Sequence, residues 1–175
     1  MANVQVDSLR FDFAPGMVAE KYDEWSYYRN VLVPRGNLKA MDLVAMRRQK
    51  APGVVWLIEA KDFRVIRGQP NDRNISGLAD DVWQRVKDTL TGLAEAAVQG
   101  EGIEREHARR AMAGKTRRIV VHVEPHTGRH SALLPKNFAA GVLQKLRQLV
   151  REIDPKPLVL DMVLRRTFGV PWSVG

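Results

Sequence analysis

Two acids and a lysine stand where an apolar strand meets charge. Residues 39–64 read KAMDLVAMRRQKAPGVVWLIEAKDFR. Val54-Val55-Trp56-Leu57-Ile58 runs without a break into Glu59-Ala60-Lys61. Side chains alternate faces along a strand, so Glu59 and Lys61 point the same way as Val55 and Leu57. Upstream, Ala40–Met46 is an apolar stretch that carries one acid, Asp42. The polar link between the two stretches closes with Pro52-Gly53, a strong turn signal. Pairing across that turn brings Asp42 next to Glu59. Two carboxylates on neighbouring strands suit a hard divalent cation, most naturally Mg²⁺ with Mn²⁺ as a substitute, which takes oxygen ligands and keeps several waters. A lysine beside them orients or deprotonates a water and offsets phosphate charge. Those are the requirements of metal-assisted phosphodiester hydrolysis.

The elements around this pair must position it. The two strands are expected at about Leu38–Met46 and Val54–Ala60. Val4–Phe13 alternates loosely and reads as a short strand or an arm. Met17–Trp25 reads as a short helix with Met17, Tyr22 and Trp25 inward. Ser26–Val33 is rich in aromatic and β-branched residues and reads as a strand. Pro34-Arg35-Gly36-Asn37 is a turn, and tight turns imply an antiparallel meander. After the site, residues 63–77 form a loop with Arg64, Arg67 and Arg73 placed to meet phosphates. Leu78, Val82, Val86, Leu90, Leu93 and Ala97 recur at spacings of three and four, an amphipathic helix over Leu78–Val98. Gly92 weakens that helix without breaking it. A second, charged helix over Ile103–Met112 reads as an insertion at about 101–113. Arg117–Glu124 is a continuous apolar strand of the kind found in parallel sheets. A loop over 125–134 carries His126, Arg129 and His130. Asn137–Ile153 is an amphipathic helix and Leu158–Leu164 the last strand, and a helix between two apolar strands is a βαβ crossover. The basic, aromatic tail from Arg165 to Trp172 is expected to dock on the body.

The element order and the Asp42, Glu59, Lys61 set resemble the PD-(D/E)xK nuclease superfamily, the restriction-endonuclease-like fold. Its motif is an acid on the second strand followed by acid-x-Lys on the third. Asp42 matches the first acid, Glu59 the second and Lys61 the lysine, while Met41 stands where the motif has proline. The resemblance covers about residues 15–165. It implies an α/β fold with a three-layer αβα core and a central mixed sheet in the order α-β-β-β-α-β-α-β. It implies a Mg²⁺-dependent endonuclease acting on DNA or, as the second choice, RNA, with Asp42, Glu59 and the Ala60 carbonyl on the metal and Lys61 at the attacking water. Glu20 is the position for the further acid that many members carry on the helix before the first strand. Gln84 and Lys87 would face the site from the helix after the third strand. Such enzymes often act as homodimers, and a partner subunit would supply specificity that one small domain lacks. The alternative is a nucleic-acid-binding or protein-interaction domain of the same fold without catalysis.

Composition fits that expectation. The chain has 175 residues, enough for one domain with a sizeable core. Its net charge is +8, and residues 115–175 hold eleven Lys or Arg against four Asp or Glu. A basic surface around an acidic site attracts polyanions while keeping carboxylates for a cation. There are no cysteines, which excludes a disulfide framework and thiolate metal sites and suits a reducing cytoplasm. No apolar run is long enough to span a membrane. The first residues, MANVQVDSLRFDF, lack the apolar core of a signal peptide. No Gly-rich phosphate loop is present, so nucleotide-driven chemistry has no support.

Overall fold

Alternation along one long strand organises the molecule. The computed structural model describes residues 2–36, 38–49, 53–64, 74–125 and 136–175. Strand β5 (Val54–Asp62) lies at the centre of a five-stranded mixed sheet. On one side it pairs antiparallel with β4 (Leu43–Arg47), which pairs antiparallel with β3 (Met17–Lys21). On the other it pairs parallel with β6 (Thr116–Glu124), and β6 pairs parallel with β7 (Leu158–Leu160). The sequence expectations of an antiparallel hairpin before the site and parallel strands after it therefore both hold. Helix α1 (Ile75–Gln99) and helix α2 (Gly102–Met112) connect β5 to β6, and helix α3 (Phe138–Leu149) connects β6 to β7.

Val55 and Leu57 point to one face of the sheet, where they pack with Val44, Val121, Leu78, Val82, Val86, Val142 and Leu146. All three long helices lie on this side. Ile58 and Ala60 point to the other face, which a helix layer was expected to cover. It is covered instead by a second sheet of β1 (Asn3–Val6), β2 (Leu9–Phe13) and β8 (Trp172–Val174), through Leu9, Phe11, Phe13, Trp172 and Val174. The layers are thus helices, sheet, sheet, rather than αβα. The tail docks as expected: Trp172 is buried and opposes Phe13 in the β2–β8 pairing.

Two expected elements exchange character. Residues 17–21 are the edge strand β3, and Tyr22–Glu24 is only a single 3-10 turn. Residues 26–35 are helical rather than extended, with a π turn over Tyr28–Leu32 and a 3-10 turn over Val33–Arg35. The cause is tertiary. Backbone pairing with β4 claims Met17–Lys21 as strand. The ring of Tyr22 meets those of Trp25 and Tyr28 at 5.0 and 5.5 Å between centroids, and that spacing of three is helical. The last strand is also shorter than expected, because the chain turns at Asp161 into the short helix α4 (Arg165–Phe168).

Gly92 shows how α1 is seated. A Cβ there would overlap the Tyr22 hydroxyl and Leu32 Cδ1. The glycine that weakens the helix in isolation is the residue that lets it lie against the 22–32 segment. Gly92→Ala is expected to destabilise the fold by about 1–3 kcal/mol despite alanine's better helix propensity, since overpacking a filled core costs that much. Urea denaturation reads it, and an unchanged midpoint would show that Tyr22 yields freely. Among the described residues no helix is long and apolar enough to cross a membrane.

Candidate active site

Register places the acids together. Leu43 opposes Ile58 in the β4–β5 pairing, so one step further Asp42 faces Glu59. The Tyr22 amide donates to the Asp42 carbonyl at 3.0 Å, which extends β3 along the same line. Asp42 shares the helix-side face with Val44 and Met46, and Glu59 and Lys61 share it with Val55 and Leu57. Lys61 Nζ lies 3.3 Å from Glu59 Oε1. Asp42 Oδ2 accepts a hydrogen bond from the Ala60 amide at 2.7 Å. A strand residue directs its N–H and C=O to the same neighbour, so the Ala60 carbonyl leaves β5 on the Asp42 side, where β4 has not yet begun. The structure therefore brings Asp42, Glu59, Ala60 and Lys61 to one spot.

Met41 explains the departure from the resembled motif. It is fully buried, and its amide donates to Thr89 Oγ1 of α1 at 2.9 Å. Proline has no N–H and would forfeit that bond. The methionine thus anchors the segment before Asp42 to the helix.

Glu59 is 1% exposed. Burial, reinforced by the nearby Asp42 charge, pushes its carboxyl up to about 8, against the opposing pull of Arg85 and Lys61. Burial likewise raises Asp42, partly offset by the Ala60 amide and by Arg85 and Lys61. Arg85 was not among the sequence candidates. Its Nε donates to Asp81 Oδ2 at 2.7 Å and lies 3.3 Å from Glu59 Oε1, and its Nη1 donates to the Ala40 carbonyl at 2.7 Å. Burial opposes its charge, but the Glu59 and Asp81 carboxylates outweigh that and hold the guanidinium firmly protonated. Asp81 is paired with Lys39 as well. Burial disfavours its charge, yet hydrogen bonds from Lys39 and Arg85 keep its carboxyl below the ordinary range. The sequence signal for Arg85 was its spacing. It stands four residues after Asp81, on the flank of the Val82–Val86 stripe, as a paired helical arginine does.

The remaining candidates are placed as follows. Glu20 sits on β3 opposite Val44, and its carboxylate lies 2.7 Å from His107 Nδ1 of α2. It is not brought to Asp42 and Glu59: among the described residues no three acids or histidines gather as a metal cage. Arg64 holds Asp62 through two bonds, at 2.8 and 2.7 Å, and Asp62 faces the opposite side of the sheet with Ile58 and Ala60. Gln84 donates to Asp88 at 2.8 Å, and Asp88 accepts the Lys39 amide at 2.9 Å, which places Gln84 at the rim beside the 39–42 segment. Lys87 is exposed and stacks over the Trp83 ring at 5.2 Å. Arg67, Arg73, His126, Arg129 and His130 lie outside the described residues.

The oxygens present fit a hard cation. Among the described residues neither Glu59 oxygen accepts a hydrogen bond, although both are buried. A buried carboxylate is ordinarily satisfied by donors or by a metal. Asp42, Glu59 and the Ala60 carbonyl supply oxygen ligands only, the donor set that Mg²⁺ and Mn²⁺ prefer.

No family model matches the chain, and no solved structure matches it. The chain is similar to a segment of a protein named cysteine–tRNA ligase from Neisseria meningitidis serogroup A / serotype 4A (strain DSM 15465 / Z2491), at 26% identity over 215 aligned positions. The match covers all of this chain and 30% of that protein's length.

Proposed function

We propose that this chain is a divalent-metal-dependent phosphodiesterase acting on nucleic acid, an endonuclease-like enzyme of the PD-(D/E)xK kind. The observation that carries the reading is the juxtaposition of Asp42, across the hairpin, with a buried Glu59 whose oxygens accept no hydrogen bond among the described residues, with Lys61 on the same face. Asp42, Glu59 and the Ala60 carbonyl would hold Mg²⁺ or Mn²⁺, which would supply Lewis-acid stabilisation of the charge that builds on the phosphate. Asp42 is itself oriented by the Ala60 amide, so the two acids keep a fixed separation. Lys61 directs an ammonium group at the same spot, positioned to orient a water and to offset phosphate charge. The net charge of +8 favours a polyanionic substrate. DNA is the first substrate to test. RNA, including tRNA, is the second, because the similar protein's name carries tRNA.

Arg85 favours one rival reading: a nucleic-acid-binding domain of the same fold in which the guanidinium neutralises Glu59 permanently. Asp42→Ala separates the two. In the enzyme reading it abolishes Mg²⁺- or Mn²⁺-dependent cutting of plasmid, single-stranded DNA or RNA, and electrophoretic mobility shows that nucleic-acid binding survives. Wild-type protein that binds nucleic acid, takes up no divalent ion and cuts none of these substrates would establish the rival.

A further inference from the structure

The guanidinium of Arg85 is the third cationic or metal-seeking element at Glu59, and its geometry is unusual for an ion pair. Its Nε stands 2.7 Å from Asp81 and 3.3 Å from Glu59. The hydrogen bond is therefore spent on Asp81, and Glu59 receives the charge without the bond. Nη1 is spent on the Ala40 carbonyl. Asp81 and Ala40 thus fix the guanidinium, and among the described residues Glu59 Oε1 meets Arg85 and Lys61 only as ion pairs at 3.3 Å, with neither carboxylate oxygen accepting a hydrogen bond. A permanent salt bridge would instead close on the carboxylate with two parallel bonds, as Arg–carboxylate pairs commonly do. The arrangement keeps two positive charges near the acid while no hydrogen bond closes on it among the described residues.

We infer that Arg85, fixed by Asp81, is a resident cation beside Glu59 together with Lys61, and that its charge tunes the affinity of this site for divalent metal. The inference rests on the metal reading of Asp42 and Glu59. It makes Arg85 a positioning residue, and it assigns Asp81 a role although Asp81 is no metal ligand. Two opposite effects follow. Removing the guanidinium removes repulsion toward a cation at Glu59, so affinity rises. Removing the Asp81 carboxylate frees Nε to bond Glu59 directly, so affinity falls. Mere damage to the pocket would lower affinity in both.

Calorimetric titration of the full chain with Mn²⁺ alone, at a single pH, tests this. Arg85→Met is expected to tighten Mn²⁺ by about tenfold or more, as the loss of a neighbouring unit charge implies. Asp81→Ala, which removes the acceptor as well as the charge, is expected to weaken it by about tenfold. Arg85→Lys keeps the pairing with Asp81 four residues away but reaches less far. It carries the same sign at smaller size, and it decides the matter where the methionine variant does not fold. Wild-type binding that disappears in Glu59→Gln, with affinity unchanged or weakened in folded Arg85→Met, overturns the inference and leaves the metal site standing. Mn²⁺ bound by neither wild type nor the Arg85 variants overturns both. Binding by Arg85→Met where wild type shows none supports both, with Arg85 the dominant competitor.

Discussion

Lys61→Ala is expected to remove metal-dependent cleavage, a loss of about 10²–10⁴-fold, the range that a positioned proton-transfer or water-orienting group supplies. The lysine is well placed for so large an effect. It lies near the end of the central strand, its side chain is 13% exposed, and its ammonium sits 3.3 Å from the buried Glu59. The stability cost is expected to be about 1 kcal/mol, because Arg85 continues to face Glu59 and the pair approaches solvent at its lysine end. Any nucleic-acid binding should change little, since the remaining basic residues would supply most of the phosphate attraction. Cleavage assays with Mg²⁺ and Mn²⁺, run beside fluorescence anisotropy on the same oligonucleotide, separate the effects. A variant that cuts at the wild-type rate would take Lys61 out of the chemistry. A variant that neither cuts nor binds would make it a binding residue.

What made this site legible was its reliance on strand alternation. Val54 to Ile58 is an apolar run that only a strand explains, and alternation then fixes where Glu59 and Lys61 point. The Pro52-Gly53 signal predicts a chain reversal, and β4 and β5 do pair antiparallel with Asp42 beside Glu59. The βαβ crossover from β6 through α3 to β7 was equally visible, because helical and strand periods alternate there without conflict. The segment before the site misled for a physical reason. Tyr22, Trp25 and Tyr28 are spaced for a helix, but the strand Met17–Lys21 feeds directly into them, so one helical signal straddles two elements. Aromatic residues in Ser26–Val33 suggested a strand because burial and β preference share the same residue types. The second sheet was hidden because its strands are short and drawn from both ends of the chain, and β8 pairs with β2 across nearly the whole sequence. Arg85 escaped for a related reason: only Asp81 is its neighbour in the sequence, while Glu59 and the Ala40 carbonyl meet it only in three dimensions.

Glu59→Gln is expected to stabilise the metal-free protein at alkaline pH while destroying the site. In the fold the Glu59 carboxyl titrates at about 8, against 4.5 for an unhindered glutamate, because burial and the Asp42 charge disfavour ionisation. The folded state therefore holds a proton that the unfolded chain has released. Below about pH 4.5 both states are protonated and nothing is lost; above it, stability falls as pH rises, and the loss levels off near pH 8. Its full size is about 5 kcal/mol by linkage. Glutamine cannot ionise, so the variant escapes that decline. Removing the charge does not strand Arg85, which keeps Asp81 and the Ala40 carbonyl. Urea midpoints measured from pH 4 to 9 in the presence of a chelator should thus coincide at the acid end and diverge upward in pH, with the variant the more stable. Added Mn²⁺ should close the gap by stabilising wild type alone, since a ligand that binds only the native state raises its stability in proportion to the logarithm of its concentration. A variant less stable than wild type at pH 8 would mean that Glu59 is held as a firm ion pair with Arg85 and Lys61. A carboxylate tied in that way is a structural strut, and the open, strained acid on which the metal reading depends would not exist.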